Sequence, residues 1–200
     1  MPEANWKTEH NMLDGAICPD EFRAVMGSFP TGVTVITAMD KRGRPWGVTV
    51  NSFGSVSLDP PLVLWSLKLS SKSYPAFLNA DRFSVSILAE DQATISSRFA
   101  THVDDKFDGI CVRAGLDGVP LINGAAAHIE CRKVTSHPGG DHRIFLGEVE
   151  RIAISERRPL IFSRGKYMTA RPFDDDDIGV IVDRERQNGR ATGTALETRP

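Results

Sequence analysis

The chain has 200 residues and a mass of 21.9 kDa, with 24 basic and 26 acidic side chains. This length predicts one domain, with tails at most. A formal net charge of −2 gives no overall field that would attract nucleic acid or an anionic membrane. No apolar run reaches the roughly 18 residues that a membrane-spanning helix needs. We therefore expect neither nucleic acid nor a membrane as a partner.

The N-terminal residues and the cysteines predict a cytoplasmic location. The first residues are polar and lack the apolar core of a secretory signal. Cys18, Cys111 and Cys131 are odd in number and far apart, which favours a reducing compartment over a disulfide framework. The 17 glycines and 12 prolines indicate frequent turns and favour β structure over a helical bundle.

A short helix is predicted at residues 19–29, after a flexible leader over residues 1–18. Apolar side chains recur there at intervals of three and four and share one helical face: Phe22, Val25, Met26 and Phe29. Two further short helices are predicted at residues 73–79, with Ser73 as the N-cap, and at residues 91–99.

Between and after these helices the sequence alternates with the period of strands and is rich in β-branched residues. Strands are predicted at residues 32–37, 46–51, 62–67, 83–88, 126–135, 143–154 and 159–162, the last extended by 166–168. This order predicts a closed or nearly closed antiparallel barrel, because closure removes exposed sheet edges. The barrel domain covers residues 19–173, and residues 174–200, which begin with four aspartates, are predicted to be a disordered charged tail.

Common catalytic motifs are absent from the sequence. It contains no glycine-rich Rossmann or Walker loop, no Gly-x-Ser-x-Gly elbow, no Cys-x-x-Cys and no His-Glu-x-x-His. His137 and His142 are separated by Pro-Gly-Gly-Asp, which is not a usual metal-ligand spacing. We therefore expect no metal site.

Residues 47–61 form the first candidate binding segment, because hydroxyl and amide side chains recur there between two apolar strands. Such side chains at strand ends can hydrogen-bond a flat heterocycle with several carbonyls and ring nitrogens. A polar turn that satisfies its own backbone explains the same residues equally well.

Residues 70–73, Ser-Ser-Lys-Ser, form the second candidate segment. Three hydroxyls, the Lys72 ammonium and a helix start favour an anion such as phosphate. An ordinary N-cap with additional serines is the simpler explanation.

Two further candidates, of which the second is weaker, lie further along the chain. His142 follows two glycines at a strand start and could contact a cofactor or substrate there, although a surface histidine in a hairpin looks the same. Arg98 could reach a phosphate while Phe99 and Phe107 flank a ring, although packing at a helix end explains such aromatics more simply.

Taken in order, these segments resemble the flavin reductase-like, FMN-binding split-barrel family. More narrowly, they resemble the small reductase components of two-component flavin-dependent monooxygenases. The resemblance is carried by residues 22–23, 31–35, 47–53, 55–62, 83–88, 140–149, 159–162 and 165–167.

This resemblance implies a mainly β fold, a six-stranded antiparallel Greek-key split barrel with a few short helices. It also implies a homodimer with flavin near the subunit interface. The residues implied to contact the flavin ring are Thr49, Val50, Asn51 and Ser52, continued by Ser55, Val56 and Ser57. Those implied to hold its phosphate are Ser71, Lys72 and Ser73. Phe99 is expected beside the flavin, and His142, with Tyr167 nearby, is expected where the nicotinamide arrives.

The implied activity is that of an NAD(P)H:flavin oxidoreductase, with hydride passing from C4 of NADH or NADPH to N5 of FMN or FAD. The cofactor carries the chemistry, and the protein positions the two rings. Reduced flavin then leaves for a separate oxygenase component. The alternative is a split-barrel protein that binds flavin without significant reductase turnover.

Overall fold

The computed structural model describes residues 17–173. Most of the predicted leader and all of the predicted tail lie outside these residues. A compact unit ends at Thr169 and contains every helix and strand named below. Of a second unit, which begins at Ala170, only residues 170–173 are described.

The described part of the chain is dominated by strands. The helices are α1 (Pro19–Gly27), α2 (Tyr74–Asn79) and α3 (Ala93–Ala100), with a 3-10 turn at Leu116–Gly118. The first six strands are β1 (Thr31–Gly32), β2 (Thr34–Met39), β3 (Pro45–Val50), β4 (Gly54–Leu58), β5 (Pro61–Lys68) and β6 (Arg82–Ile87). The last six are β7 (Val112–Ala114), β8 (Pro120–Ile122), β9 (Ala127–Gly139), β10 (His142–Ile154), β11 (Leu160–Ser163) and β12 (Lys166–Thr169).

The main sheet has seven strands in the order β3-β2-β6-β9-β10-β5-β4, and each neighbouring pair is antiparallel. Beyond β3, the Ser52 hydroxyl donates to the Ser66 carbonyl at 3.3 Å and accepts from the Ser66 N–H at 3.0 Å. Because Ser66 belongs to β5, these bonds join the chain after one end of the sheet to a strand near the other end. The predicted mainly β, antiparallel architecture is confirmed.

The seventh strand of this sheet, β4, lies where the sequence predicts a continuing polar loop. It pairs with β5 from Gly54 to Leu58, with an irregularity between Ser55 and Ser57. The alternation there is weak because Val56 is 48% exposed and Leu58 is 93% exposed. Two small sheets, β1-β11-β12 and β7-β8, complete the described structure.

An aromatic cluster around Trp65 fills the main core. The Trp65 ring stacks on Phe145 with centroids 4.6 Å apart, and it meets Phe77 and Phe83 edge-on at 5.0 and 5.7 Å. All four side chains are buried, as expected for rings that supply much of the apolar area removed from water. A second cluster of buried residues comprises Val33, Val35, Leu88, Phe99, Ile122 and Leu160.

Helix α1 follows the predicted pattern but buries none of its residues. It ends at Gly27, two residues before the predicted end, and the Gly27 carbonyl accepts the N–H of Arg164 at 2.7 Å. Its apolar face, including Phe22 and Val25, stays exposed. The periodicity therefore predicts the helix correctly, but the described residues do not cover its apolar face.

Among the described residues, no helix combines the length and apolar character needed to cross a membrane. Nor do residues 17–173 bring three or more His, Cys, Asp or Glu side chains together in a way that could hold a metal ion.

Candidate functional site

Three adjoining clefts follow strand β3 and the turn before it. Their volumes are about 380, 550 and 640 Å³, within the usual range for small-molecule sites. The first and second clefts share Val48, Ser71 and His102, and the second and third share Arg44, Trp46 and Lys72. The shared lining residues join the three clefts into one groove, which can contact a ligand made of several chemical groups.

The first cleft lies at the end of β3, where the chain passes from the sheet into the polar segment. Its lining includes the four residues predicted to contact a flavin ring: Thr49, Val50, Asn51 and Ser52. His142, Lys68 and Ser70 line the same cleft. The pairing of β10 with β5 sets His142 opposite Lys68, so the strand register brings the histidine next to a residue 74 positions earlier in the chain.

His142 is oriented by its neighbour. Its Nδ1 lies 2.7 Å from Oδ1 of Asp141, and this hydrogen bond holds the pKa of Asp141 below its ordinary value. The His142 side chain is 40% exposed. No described residue hydrogen-bonds its Nε2, so that nitrogen is available to a ligand in the cleft.

The Ser71–Lys72–Ser73 segment joins the clefts. The hydroxyls of Ser71 and Ser73 lie 2.8 Å apart, and the Ser73 N–H donates to the Ser71 hydroxyl at 3.3 Å. Ser73 occupies the N-cap position of α2, as predicted, but its side chain makes no capping hydrogen bond. Lys72 is exposed and has no ion-pair partner among the described residues, so its ammonium is available for an anion.

The floor of the second cleft depends on close contact between Phe99 and Gly47. A Cβ placed on Gly47 would lie 2.4 Å from Cε1 of Phe99, and the Phe99 ring meets Phe107 edge-on with centroids 5.0 Å apart. Phe99 has no exposed surface. Its ring therefore packs against Gly47 as part of the lining of the second cleft, and its place beside the flavin stays a prediction.

Lys106 adds a cation to the second cleft that the sequence analysis did not single out as a binding residue. Its Nζ donates to the carbonyls of Phe99 at 2.7 Å and Gly47 at 3.2 Å. Burial lowers the pKa of Lys106 because desolvation disfavours the charged form. Arg98, which the sequence offered as a phosphate ligand, donates instead to the carbonyls of Lys106 and Asp105, so packing at the helix end explains it.

Tyr167 belongs to a separate cleft of about 190 Å³, which also touches Thr49, Val50 and Asn51. Its hydroxyl donates to Oγ of Ser96 at 2.9 Å, and the Thr49 hydroxyl donates to the Ser96 carbonyl at 2.6 Å. His142 does not line this fourth cleft. The two residues predicted to be neighbours thus lie in different clefts that share residues 49–51.

Three of the predicted binding residues lie apart from the groove. Ser55, Val56 and Ser57 belong to β4 and line none of the four clefts. The Ser57 hydroxyl accepts the N–H of Asp59 at 3.2 Å, a local turn contact. Their role as flavin contacts stays a prediction.

Besides Lys106, two features of the groove were not predicted from the sequence. His102 lines both the first and second clefts, but it follows α3 in a segment with no periodic pattern. Arg44 lies with its guanidinium carbon 4.9 Å from the centre of the Trp46 ring. A cation next to an aromatic residue at a strand start was the only available signal for this pair.

Comparison with known proteins shows which family the chain resembles in sequence and fold. Residues 26–171 match the flavin reductase like domain family. The chain is 46% identical over 159 residues to the FMN reductase (NADH) SmoA of Agrobacterium fabrum, covering 80% of this chain and 90% of that protein. It is 42% identical over 158 residues to the flavin-dependent monooxygenase reductase subunit HsaB of Rhodococcus jostii, covering 78% of this chain and 80% of that protein.

A solved structure agrees in both fold and sequence. The NADH:FAD oxidoreductase SgcE6 of Streptomyces globisporus, in complex with NAD and FAD fragments, superposes with a TM-score of 0.72 at 39% identity. The match covers 82% of this chain and 99% of that one. Because the family model matches most of the chain and the relatives are aligned over most of their length, the chain belongs to the flavin reductase like family.

Proposed function

We propose that this chain is an NAD(P)H-dependent flavin reductase that supplies reduced flavin to a separate oxygenase component. The observation that carries the proposal is the convergence of residues 49–52, residues 71–73 and His142 along one connected groove. The names of the relatives support it, since they are reductases or reductase subunits of flavin-dependent monooxygenases.

The donor set of the groove fits a flavin nucleotide. The first cleft offers hydroxyl, amide and backbone groups to a heterocycle with carbonyls and ring nitrogens, and the second offers hydroxyls and an unpaired ammonium to a phosphate. Bound flavin supplies the acceptor for a hydride from the reduced nicotinamide, a reaction that requires no protein nucleophile.

The residues of this chain bind and orient. Asn51 and the backbone groups of residues 49–52 hold the ring edge by hydrogen bonds, since the Thr49 and Ser52 hydroxyls donate to the carbonyls of Ser96 and Ser66. Lys72 with its flanking serines holds the phosphate. His142, fixed through Nδ1 by Asp141, presents Nε2 to the nicotinamide and limits its approach to one orientation. Such positioning supplies the proximity that a transfer between two bound rings requires.

We further propose that the reductant is NADH and that the chain works as a homodimer. NADH is named for the relative SmoA and for SgcE6. The apolar face of α1 and the end of β10 support a second copy as a partner, because Phe22 is 55% and Ile154 is 90% exposed. Exposed apolar patches of this kind are typical of association surfaces.

The test is oxidation of NADH or NADPH in air by the full chain, with FMN and FAD in turn. We expect steady turnover with at least one combination and faster turnover with NADH. Absence of turnover in all four combinations contradicts the reductase proposal. A stoichiometric, tightly held flavin without turnover would support the alternative, a flavin-binding protein.

Lys72→Ala tests the phosphate contact. Loss of the ammonium should weaken FMN binding about tenfold, the effect of one charge-assisted contact, and leave riboflavin, which has no phosphate, almost unchanged. Lys166→Ala is the matched control, because Lys166 is an exposed lysine on β12 that lines none of the clefts. Equal losses for FMN and riboflavin would contradict the role of Lys72.

A further inference from the structure

The third cleft continues the groove past Lys72, away from His142. We propose that it binds the adenylate half of a flavin dinucleotide, so that this chain prefers FAD to FMN. This inference rests on the proposed function, because it takes Lys72 as the anchor of the first phosphate.

The order of the clefts matches the order of groups in FAD. Residues 49–52 and His142 line the first cleft, Ser71, Lys72 and Ser73 line the second, and Lys72 is shared with the third. A ligand whose ring lies in the first cleft and whose phosphate reaches Lys72 has its next groups at the entrance of the third. FMN ends at that point, whereas FAD continues with a second phosphate and adenosine.

The third cleft is strongly cationic although the chain as a whole has a formal net charge of −2. Lys41, Arg42, Arg44 and Lys72 line it. Among the described residues, the Arg44 guanidinium donates to a carbonyl, that of Asp104 at 3.1 Å, and to no carboxylate. The other three cations have no ion-pair partner in residues 17–173. Such a concentration of unpaired cations favours a ligand with more than one negative charge.

Asp40 is the acidic residue of this cleft, but its carboxylate is fully engaged. Oδ1 accepts the N–H groups of Arg42 and Arg44 at 2.9 Å each, and Oδ2 accepts Nε1 of Trp46 at 3.1 Å. These bonds, with that from the Arg44 N–H the largest, lower the pKa of Asp40. The carboxylate thus orders the turn that carries the cations, which reduces the entropy lost when they bind an anion.

The same cleft offers surfaces suited to a purine. The guanidinium of Arg44 lies over the Trp46 ring at 4.9 Å, and Pro75 and Ala76 at the start of α2 provide an apolar wall. Arg44 is exposed, so its outer face can stack on adenine, as guanidinium and indole planes stack on bases in nucleic-acid complexes.

A 2′-phosphate of NADPH has part of the same chemistry, a phosphate next to adenosine. The continuity through Lys72 favours FAD, because the flavin phosphate is already proposed to lie there. The experiment therefore measures both ligands.

The test variant is Lys41→Ala/Arg42→Ala, because these two residues line only the third cleft. The charge-matched control is Lys166→Ala/Arg23→Ala, which removes two exposed cations outside the groove. Calorimetric titration of the full chain measures the Kd of FAD, FMN and AMP, and steady-state assays measure the KM of NADH and NADPH.

We expect the wild-type chain to bind FAD at least about tenfold more tightly than FMN. The test variant should lose most of that preference and retain its FMN affinity within about twofold, whereas the control keeps both. AMP should compete with FAD for binding to the wild-type chain, but AMP should not compete with riboflavin. Because the contacts are ionic and exposed, the FAD preference should shrink as salt is raised.

Equal affinities of the wild-type chain for FAD and FMN would overturn the inference. An increase in the KM of NADPH alone in the test variant would also overturn the inference, because it would assign the third cleft to the nicotinamide dinucleotide. In both cases turnover persists with FMN, so the failure is distinguishable from failure of the reductase proposal, in which no combination turns over.

Discussion

Gly47→Ala adds a single carbon, and the structure predicts a large effect on stability and on the second cleft. The new Cβ would lie 2.4 Å from Cε1 and 2.6 Å from Cδ1 of Phe99, and 3.3 Å from Cζ of Phe107. Ordinary carbon contacts are about 3.5–4.0 Å, so a fully buried ring would have to move by roughly 1 Å.

Overpacking of this kind costs about 1–3 kcal/mol. Replacing glycine also restricts the unfolded chain, which stabilises the folded state by about 0.4–1 kcal/mol. We therefore expect the free energy of unfolding to fall by about 1–2 kcal/mol and the Tm by roughly 2–8 °C. Because the same contact supports the second cleft, flavin affinity should fall as well.

Urea unfolding followed by tryptophan fluorescence measures the change. Gly32→Ala is the control, since a Cβ at Gly32 would have no atom within 4 Å, and it should shift stability by less than about 0.5 kcal/mol. In a Phe99→Ala background the Cβ has room, so the Gly47→Ala penalty should largely vanish as a coupling energy. A penalty of equal size in both backgrounds, or none in the wild-type chain, would refute the steric argument.

Three further predictions concern titratable groups. Burial would raise the pKa of Glu130, but hydrogen bonds from Arg151 and the Leu116 N–H outweigh it and lower the pKa. Its contribution to stability is therefore present above about pH 4.3 and lost as pH falls through the folded pKa. In Glu130→Gln the free energy of unfolding should depend less on pH in the acid range. An unchanged pH dependence contradicts this. Burial raises the pKa of Cys131 to about 12, so iodoacetamide at pH 8 should label exposed Cys18 and reach Cys131 only after unfolding, as peptide mass spectrometry would show. His142→Ala should slow flavin reduction in stopped-flow assays with flavin Kd within about twofold; a parallel loss of flavin affinity would argue against a role toward nicotinamide.

The local patterns of the sequence predict most of the elements. Residues 61–68 alternate because one face of that strand is more deeply buried than the other. Residues 34–39 are rich in β-branched side chains and are buried on both faces. Strand β4 escaped prediction because its side chains stay largely exposed and its identity as a strand depends on pairing with β5. Sequence periodicity reports burial, and where burial is absent it carries no signal.

The residues of the candidate site likewise fall into those that the sequence predicted and those that it did not. Residues 49–52 and 71–73 were identified from clusters of polar side chains at the ends of elements, and both segments line the groove. His102 and Lys106 were not identified as cleft residues, since their positions depend on how the loop after α3 lies against β3. Phe99 was identified, but whether its ring meets a ligand or Gly47 depends on the separation between helix and strand, which no local pattern encodes.

The sequence by itself determined the mainly β, antiparallel architecture and the segments that carry polar chemistry, because these depend on periodicity and residue type over short windows. Only the tertiary structure decided which segments share a cleft. Strand register placed His142 opposite Lys68, and packing brought Lys72 to the same cleft as Lys41, Arg42 and Arg44 of the turn that Asp40 orders. Such contacts join residues dozens of positions apart, and their geometry follows from packing of the whole sheet rather than from any one segment.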